Sequence, residues 1–443
     1  MEAALSAIVR SRASIAVIAV LAVLVVGFLW VQGLDEQGQR NLLYTVQDFL
    51  PIIMFASLAC LLFTGFPVAF ILGGLALLFG LLGYFLQMFS LIEFFNFLPR
   101  IWGQAAENLV LVSVPAFVFM GVMMERSGVA EDLLYCVQVL LKKVPGALAL
   151  AVTIMGTVLA AMTGIIGASV TMMTALALPT MMRQGYSHAL SCGTIAASGT
   201  LGILIPPSIM LIIMADLLAV SVGNVFMAAI VPGLCLAALY ITYVLVYSWM
   251  RPSVAPKLPP ELLDVPRSEY PGLIFKSFLP PVFLITMIKG SILLGWATPS
   301  EAGAVGAFGV MLLAAFNRRL NFNLLKDTCH TSAKTVAMIF FIIVSATCFA
   351  YVYRSLGGDD IVEHLIRDAG LTSWGLLILI MVITFCLGFF LDWIEITLIV
   401  LPVFAPLVSG MDFGDHIASQ NIIFWFIVLP LMKPAIAALS VLI

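Results

Sequence analysis

Long runs without a charged residue constrain this chain more than any other feature of its sequence. Residues 49–92 contain no Asp, Glu, Lys or Arg, and the same holds for residues 144–182, 184–215 and 217–250. A helix needs about 20 apolar residues to cross the hydrocarbon layer of a bilayer. Because each run exceeds that length, the sequence predicts an all-α polytopic membrane protein with ten to thirteen apolar segments, some of them half-helices or re-entrant hairpins.

The composition agrees with this class. Apolar residues make up 63% of the chain, charged residues only 10%, and the net charge is -3. A soluble domain has about 25% charged residues, and a nucleic-acid-binding domain carries a basic surface. The seven cysteines form no CxxC pair, and the four histidines are widely spaced. These patterns argue against a metal-dependent hydrolase, against any enzyme and against a nucleic-acid partner.

The chain divides into four parts on the distribution of charge and proline. Residues 1–45 form an N-terminal extension with one transmembrane helix, and the basic residues before that helix predict a cytoplasmic N-terminus. Residues 46–250 form the first repeat half with the first hairpin. Residues 251–273 form a linker rich in Pro and charged residues, which neither continues a helix nor enters lipid. Residues 274–443 form the second repeat half.

Two stretches in the two halves share an interrupted pattern. Residues 163–179 (TGIIGASVTMMTALALP) and 387–402 (LGFFLDWIEITLIVLP) both begin near glycine and polar residues and both end at Leu-Pro. Short segments interrupted by Gly or Pro, in corresponding positions of two halves, are typical of the binding sites of secondary transporters. Each stretch is therefore predicted to break the helical backbone inside the membrane.

The first of these stretches offers groups for an anion. Gly164 and Gly167 permit a tight bend, while Ser169 and Thr171 add hydroxyl groups. A half-helix that begins at such a bend presents unpaired N–H groups and a positive dipole end to a carboxylate. Close helix packing through small residues explains the same pattern equally well.

A third segment predicts a cation site. Pro206 and Pro207 lack an N–H, so carbonyl groups around residues 202–205 lose their helical partners. Ser198, Thr200 and Ser208 bring hydroxyl oxygens to the same place, and neutral oxygens suit a hard cation such as Na⁺. The alternative is a proline kink whose hydroxyl groups bond back to the helix.

Carboxylates inside the second stretch are costly in lipid and mark a functional site by default. Asp392 and Glu395 are three residues apart, which places them on one face of a helix, and Gly388 and Thr397 belong to the same predicted site. An N-cap role for Asp392 is the alternative. Of the weaker candidates, Asp216 is interpreted as part of an interfacial turn. Glu301 is interpreted as the cap of a helix that starts near residue 298.

Together these stretches resemble the large membrane subunit of tripartite ATP-independent periplasmic (TRAP) transporters. The similarity runs from about residue 50 to 425 and is carried by GFPVAFILGG (65–74), TGIIGASVTMMTALALPTMMRQGY (163–186), GTIAASGTLGILIPPSIMLII (193–213) and LGFFLDWIEITLIVLPVFAPL (387–407). Within that family, the sequence of these stretches most resembles the branch named for mannitol, chloroaromatic compounds and α-keto acids.

The resemblance implies an inverted-repeat, elevator-type fold with two re-entrant hairpins, whose tips lie near residues 164–174 and 388–397. It implies Na⁺ as the coupling ion at the hairpin tips, with ligands left open, and no other cofactor. It also implies a small membrane subunit, a periplasmic binding protein that delivers an organic anion, and a multi-pass location in the bacterial inner membrane.

One departure from the family pattern affects the second half. The family carries a second Thr-Pro-Pro segment, whereas residues 422–443 read IIFWFIVLPLMKPAIAALSVLI, and no Thr-Pro-Pro follows residue 410. We therefore expect a truncated or divergent C-terminal end. The alternative function that follows is a passive channel or an inactive membrane scaffold.

Overall fold

The computed structural model describes residues 36–163, 166–256, 265–368, 370, 372–389 and 393–409. Within these ranges the regular structure is helical and includes no β-strand, which confirms the predicted all-α class. The predicted first transmembrane helix, residues 13–34, lies outside the described residues, as do residues 257–264 of the predicted linker.

Helices succeed one another with short connections. Before the Pro-rich segment they are α1 (Glu36–Leu62), α2 (Val68–Phe85), α3 (Leu91–Phe95), α4 (Phe97–Ile101), a π turn (Trp102–Ala106), α5 (Ser113–Arg126), α6 (Val129–Leu141), α7 (Ala147–Thr163), α8 (Ile166–Arg183), α9 (His188–Leu204), α10 (Ile209–Leu217) and α11 (Val222–Met250). After it they are a 3-10 turn (Arg267–Glu269), α12 (Tyr270–Leu273), a π turn (Ile274–Phe278), α13 (Leu279–Leu293), α14 (Pro299–Phe316), α15 (Phe322–Ser355), α16 (Gly358–Asp368), α17 (Ser373–Leu387) and α18 (Trp393–Ser409).

Six segments of the described chain are long and apolar enough to cross a membrane. They are Tyr44–Leu62, Val68–Phe85, Val222–Met250, Tyr270–Leu293, Pro299–Phe316 and Phe322–Ser355. The bent pair α9–α10 adds a seventh if it counts as one span, and α7 and α17 supply shorter apolar helices. The protein is therefore a polytopic membrane protein, as the uncharged runs predicted.

Glycines allow α7, α8 and α9 to pack closely against one another. A methyl group added to Gly156 of α7 would stand 2.6 Å from the Cβ atom of Ser198 in α9, and one added to Gly199 would overlap Val170 in α8. Small residues at such crossings let helix backbones approach without the hydrophobic driving force that water would supply. The three helices consequently form one tightly packed layer.

Helices of the second half pack against α5 and α10. Helix α18 contacts α10, α15 and α17, while α14 lies along α5. A methyl group on Gly303 of α14 would lie 3.2 Å from the Cβ atom of Ala116 in α5. Helix α18 is thereby brought against the helix that follows Pro206 and Pro207.

Candidate transport site at a broken helix

The backbone breaks between α9 and α10, where the two prolines predicted it. Helix α9 ends at Leu204, and Ile205 (φ -91, ψ 116) and Ser208 (φ -130, ψ 135) are extended. The peptide bond between Pro206 and Pro207 is cis, and the axes of the two helices differ by 43°. The prolines have no N–H to donate to the carbonyl groups of residues 202 and 203.

A side chain replaces one of the missing donors. The Ser208 hydroxyl donates to the carbonyl oxygen of Ile203 at 2.8 Å, and the Ile205 N–H donates to the carbonyl of Leu201 at 3.1 Å. Irregular backbone at membrane depth is tolerated only inside protein or along a cavity. The break satisfies this condition, because all residues from 197 to 215 are buried.

Helix α11 provides the surface on which the break rests. A methyl group on Gly233 would lie 3.1 Å from the Ile205 Cγ1 atom and 3.3 Å from the Leu204 carbonyl oxygen. Glycine at this position therefore leaves room for the extended backbone. Sequence analysis missed Gly233, although the dipeptide Pro232-Gly233 inside an apolar run was an available signal.

The hydroxyl groups around the break bond back to their own helix. Ser198 donates to the Thr194 carbonyl at 2.6 Å, and Thr200 donates to the Ala197 carbonyl at 2.8 Å. This is the bonding that the proline-kink alternative describes. It does not remove the acceptor capacity of the hydroxyl oxygens, each of which has two lone pairs. In addition, the buried Thr194 hydroxyl has no hydrogen-bond partner among the described residues.

The first predicted hairpin lies beside the break. Helix α7 ends at Thr163 and α8 begins at Ile166, while Gly164 lies outside the described residues. Gly167 and Ser169 fall in the first turn of α8, with Ser169 buried, and Thr171 follows in the next turn. Val170 meets α9 at Gly199, about 9 Å along the helix axis from Ile205 at 1.5 Å per residue. Two of the predicted site segments therefore come together.

The second predicted hairpin includes the start of α18, a helix that packs against α10. Helix α17 ends at Leu387, and Gly388 caps it by donating its N–H to the Thr384 carbonyl at 3.1 Å. Asp392 lies outside the described residues. Glu395 is half-buried in the first turn of α18. A negative charge at this position is stabilised by the positive end of the helix dipole. Thr397 is buried and donates to the Trp393 carbonyl at 2.7 Å.

The predicted cap is confirmed at Glu301. Its carboxylate accepts from the Thr298 N–H at 2.7 Å and from the Thr298 hydroxyl at 2.9 Å. The Glu301 N–H donates in return to the Thr298 hydroxyl at 3.3 Å, so the two residues form a capping box at the start of α14. Glu301 therefore begins a helix and lies apart from the broken segment.

Asp216 has partners that sequence analysis missed. Its carboxylate accepts hydrogen bonds from the side-chain amides of Gln104 and Asn108 at 2.9 and 2.7 Å. These amides lie more than a hundred residues earlier in the chain, and no local pattern connects them with Asp216.

The fold and the site define a class: an all-α polytopic membrane protein with a broken helix buried in its core. The family follows from comparison with known proteins. Residues 55–442 match the family model of the tripartite ATP-independent periplasmic transporter, DctM component. The chain belongs to this family, and it is a permease subunit of a membrane transporter rather than an enzyme. The resemblance found in the sequence is thereby confirmed, while the assignment to a particular branch stays a prediction.

Two named relatives each match more than two thirds of the chain. It is 31% identical to the C4-dicarboxylate TRAP transporter large permease protein DctM of Pseudomonas aeruginosa, over 70% of this chain and 71% of the relative. It is 29% identical to the 2,3-diketo-L-gulonate TRAP transporter large permease protein YiaN of Escherichia coli K12, over 79% of each chain. The crystal structure of the Alcanivorax borkumensis YdaH transporter is similar at a TM-score of 0.50 and 14% identity, covering 79% of this chain and 80% of that one. At that identity the likeness concerns the fold alone.

Proposed function

We propose that this chain is the large membrane subunit of a Na⁺-coupled importer of a small organic acid in the bacterial inner membrane. A small membrane subunit and a periplasmic binding protein complete the transporter. Family membership supports the tripartite arrangement. The names of the two relatives, for a C4-dicarboxylate and for 2,3-diketo-L-gulonate, support a carboxylate substrate.

The observation that carries the proposal is the buried break between Leu204 and Ile209. A break there costs free energy, because carbonyl groups lose helical donors in a region without water. Proteins retain such features where the freed groups bind something. The carbonyls of residues 202 and 203, with the hydroxyl oxygens of Ser198, Thr200 and Ser208, form the proposed Na⁺ ligand set.

The beginnings of α8 and α18 supply the proposed anion site. Their first turns present N–H groups with a positive partial charge, and Ser169 and Thr171 add hydroxyl donors to the first of them. Asp392 and Glu395 would repel a carboxylate substrate unless a cation lies between them and it. Substrate and Na⁺ would therefore bind together more tightly than either alone, which is the requirement for coupled transport. In the proposed elevator-type mechanism the two hairpins move as one unit.

Reconstituted uptake tests this function. The complete complex with its binding protein is placed in liposomes, with radiolabelled succinate as the C4-dicarboxylate probe and pyruvate as the α-keto acid probe. The proposal predicts saturable uptake of an acid that the binding protein holds, and loss of that uptake when choline replaces Na⁺. Unchanged uptake in choline would refute the coupling. Flux that needs no binding protein and does not saturate would instead establish the passive channel.

A further inference from the structure

A polar cluster ties the far end of α10 to the segment before α5. Both oxygens of the half-buried Asp216 carboxylate are used: Oδ1 accepts from Asn108 Nδ2 at 2.7 Å and Oδ2 accepts from Gln104 Nε2 at 2.9 Å. Gln104 belongs to the π turn Trp102–Ala106, and Asn108 to the loop that follows it. Hydrogen bonds to a charged acceptor are stronger than those between neutral groups.

The loop fixes the orientation of the Asn108 amide. Its oxygen accepts from the backbone N–H groups of Val110 and Leu111 at 3.0 and 3.2 Å, so its nitrogen is the end that faces Asp216. The next carbonyl, that of Leu109, accepts from the Ser300 hydroxyl of α14 at 3.1 Å. The loop is therefore anchored to α14 as well as to α10.

Helix α10 packs against α5, α9, α11 and α18, and side-chain hydrogen bonds hold its two ends. It has only nine residues, and a helix of that length is marginal without tertiary contacts. The proline break also separates it from the hydrogen bonds of α9. At the start of α10, Ser208 bonds to Ile203, and at its end Asp216 bonds to the two amides.

We propose that Asp216, Gln104 and Asn108 form a clamp that positions α10 and thereby sets the affinity of the cation site at the break. The inference rests on the proposed function, because the site it positions is the proposed Na⁺ site. Asp216 acts in this account as a positioning residue and contacts no transported ion. Loss of the clamp would let α10 pivot at the prolines and would displace the Ser208 oxygen from the carbonyls of α9.

Exchanging the side chains at positions 108 and 216 distinguishes positioning by hydrogen bonds from a requirement for the negative charge of Asp216. In Asp216→Asn, the new amide has one oxygen for two donors, so one hydrogen bond is lost. In Asn108→Asp, two carboxylates face each other. The double variant Asn108→Asp/Asp216→Asn restores every bond: Asn at 216 donates to Asp at 108 and accepts from Gln104, and Asp at 108 still accepts from Val110 and Leu111. The negative charge has then moved from position 216 to position 108.

The assay is the Na⁺ dependence of uptake by the complete reconstituted complex. Asp216→Asn is expected to raise the half-saturating Na⁺ concentration at least about tenfold, the factor for one lost hydrogen bond to a charged group. Asn108→Asp is expected to raise it by no less, because two carboxylates then face each other. The double variant is expected to return to within about twofold of the wild type, since its hydrogen bonds are complete. The unfolding midpoint of the purified protein, measured in choline chloride, should follow the same order and does not depend on transport.

An Asn–Asp pair elsewhere in the molecule provides the matched control. Asn317 donates to Asp132 at 3.3 Å, between the end of α14 and the start of α6. Asp132→Asn should leave the half-saturating Na⁺ concentration unchanged.

Two results would overturn the clamp. Single variants that respond to Na⁺ as the wild type does would show that the hydrogen bonds do not position the site. A double variant as impaired as the singles, although folded, would show that the charge at position 216 is itself required. A wild type with no Na⁺-dependent uptake would refute the proposed function instead, and the unfolding midpoints would then decide whether the clamp exists.

Discussion

Removal of the Ser208 hydroxyl tests whether this single group stabilises the break between α9 and α10. Ser208 is buried, and its Oγ donates to the Ile203 carbonyl at 2.8 Å, in place of the N–H that Pro207 lacks. Ser208→Ala leaves a buried carbonyl without that donor. The expected cost is about 1–2 kcal/mol, since an orphaned buried acceptor costs about 1–3 kcal/mol and hydrogen bonds between membrane helices lie at the lower end.

Ser191→Ala is the matched control for this substitution. Ser191 lies in α9, the helix that contains Ile203, is as buried as Ser208 and donates to the Ser187 carbonyl at 2.9 Å. That carbonyl also accepts from the Ser191 N–H at 3.0 Å, so it keeps a donor after the hydroxyl is removed. The control should therefore lose far less stability than Ser208→Ala.

The assay is the unfolding midpoint of the purified protein in choline chloride and again in sodium chloride. In choline, Ser208→Ala should be less stable than Ser191→Ala, because only Ser208→Ala leaves a buried carbonyl without a donor. In sodium, the stabilisation that Na⁺ confers should be smaller for Ser208→Ala than for the wild type, because a proposed ligand has been removed. Equal stability of the two variants in choline would refute the role assigned to the Ser208 hydroxyl.

Three further predictions concern the surroundings of the break. Gly233→Ala should slow transport, because the added methyl group would press on Ile205 and the Leu204 carbonyl. The control Gly223→Ala lies in the same helix, meets no atom closer than 3.7 Å and should transport as the wild type does. Equal uptake rates of the two variants would contradict the packing of α11 against the break. Ser169→Ala and Asp392→Ala should each lower Na⁺-dependent uptake while the protein still inserts into the membrane, and wild-type uptake by both would defeat the assignment of the hairpin sites. Glu301→Gln should lower the unfolding midpoint slightly through a weaker capping box but leave the half-saturating Na⁺ concentration unchanged; a large change in Na⁺ dependence would show that Glu301 is more than a cap.

Features set by neighbouring residues could be predicted from the sequence. The break at Pro206 and Pro207 follows from two missing N–H groups, and the capping box of Glu301 follows from residues three apart. The ends of α7 and α17 also fall where glycine and polar residues interrupt the apolar runs, although Gly164 and Asp392 lie outside the described residues.

Features set by contacts between distant residues could not be predicted. Gly233 matters because α11 crosses α9 at its last turn, and a single sequence does not contain that crossing. The amides of Gln104 and Asn108 meet Asp216 only because the loop before α5 passes the end of α10. The sequence led to the interpretation of Asp216 as part of an interfacial turn, and its hydrogen-bond partners could be identified only from the fold.

The central claim is that the carbonyl and hydroxyl oxygens at the broken helix hold the coupling cation. Thallium(I), a strongly scattering substitute for a monovalent alkali cation, tests this directly in crystals of the transporter. We predict an anomalous peak within coordination distance of the carbonyls of residues 202 and 203 and of the Ser208 hydroxyl, weakened when Na⁺ competes. Peaks confined to other parts of the molecule, in a preparation that still transports, would contradict the account.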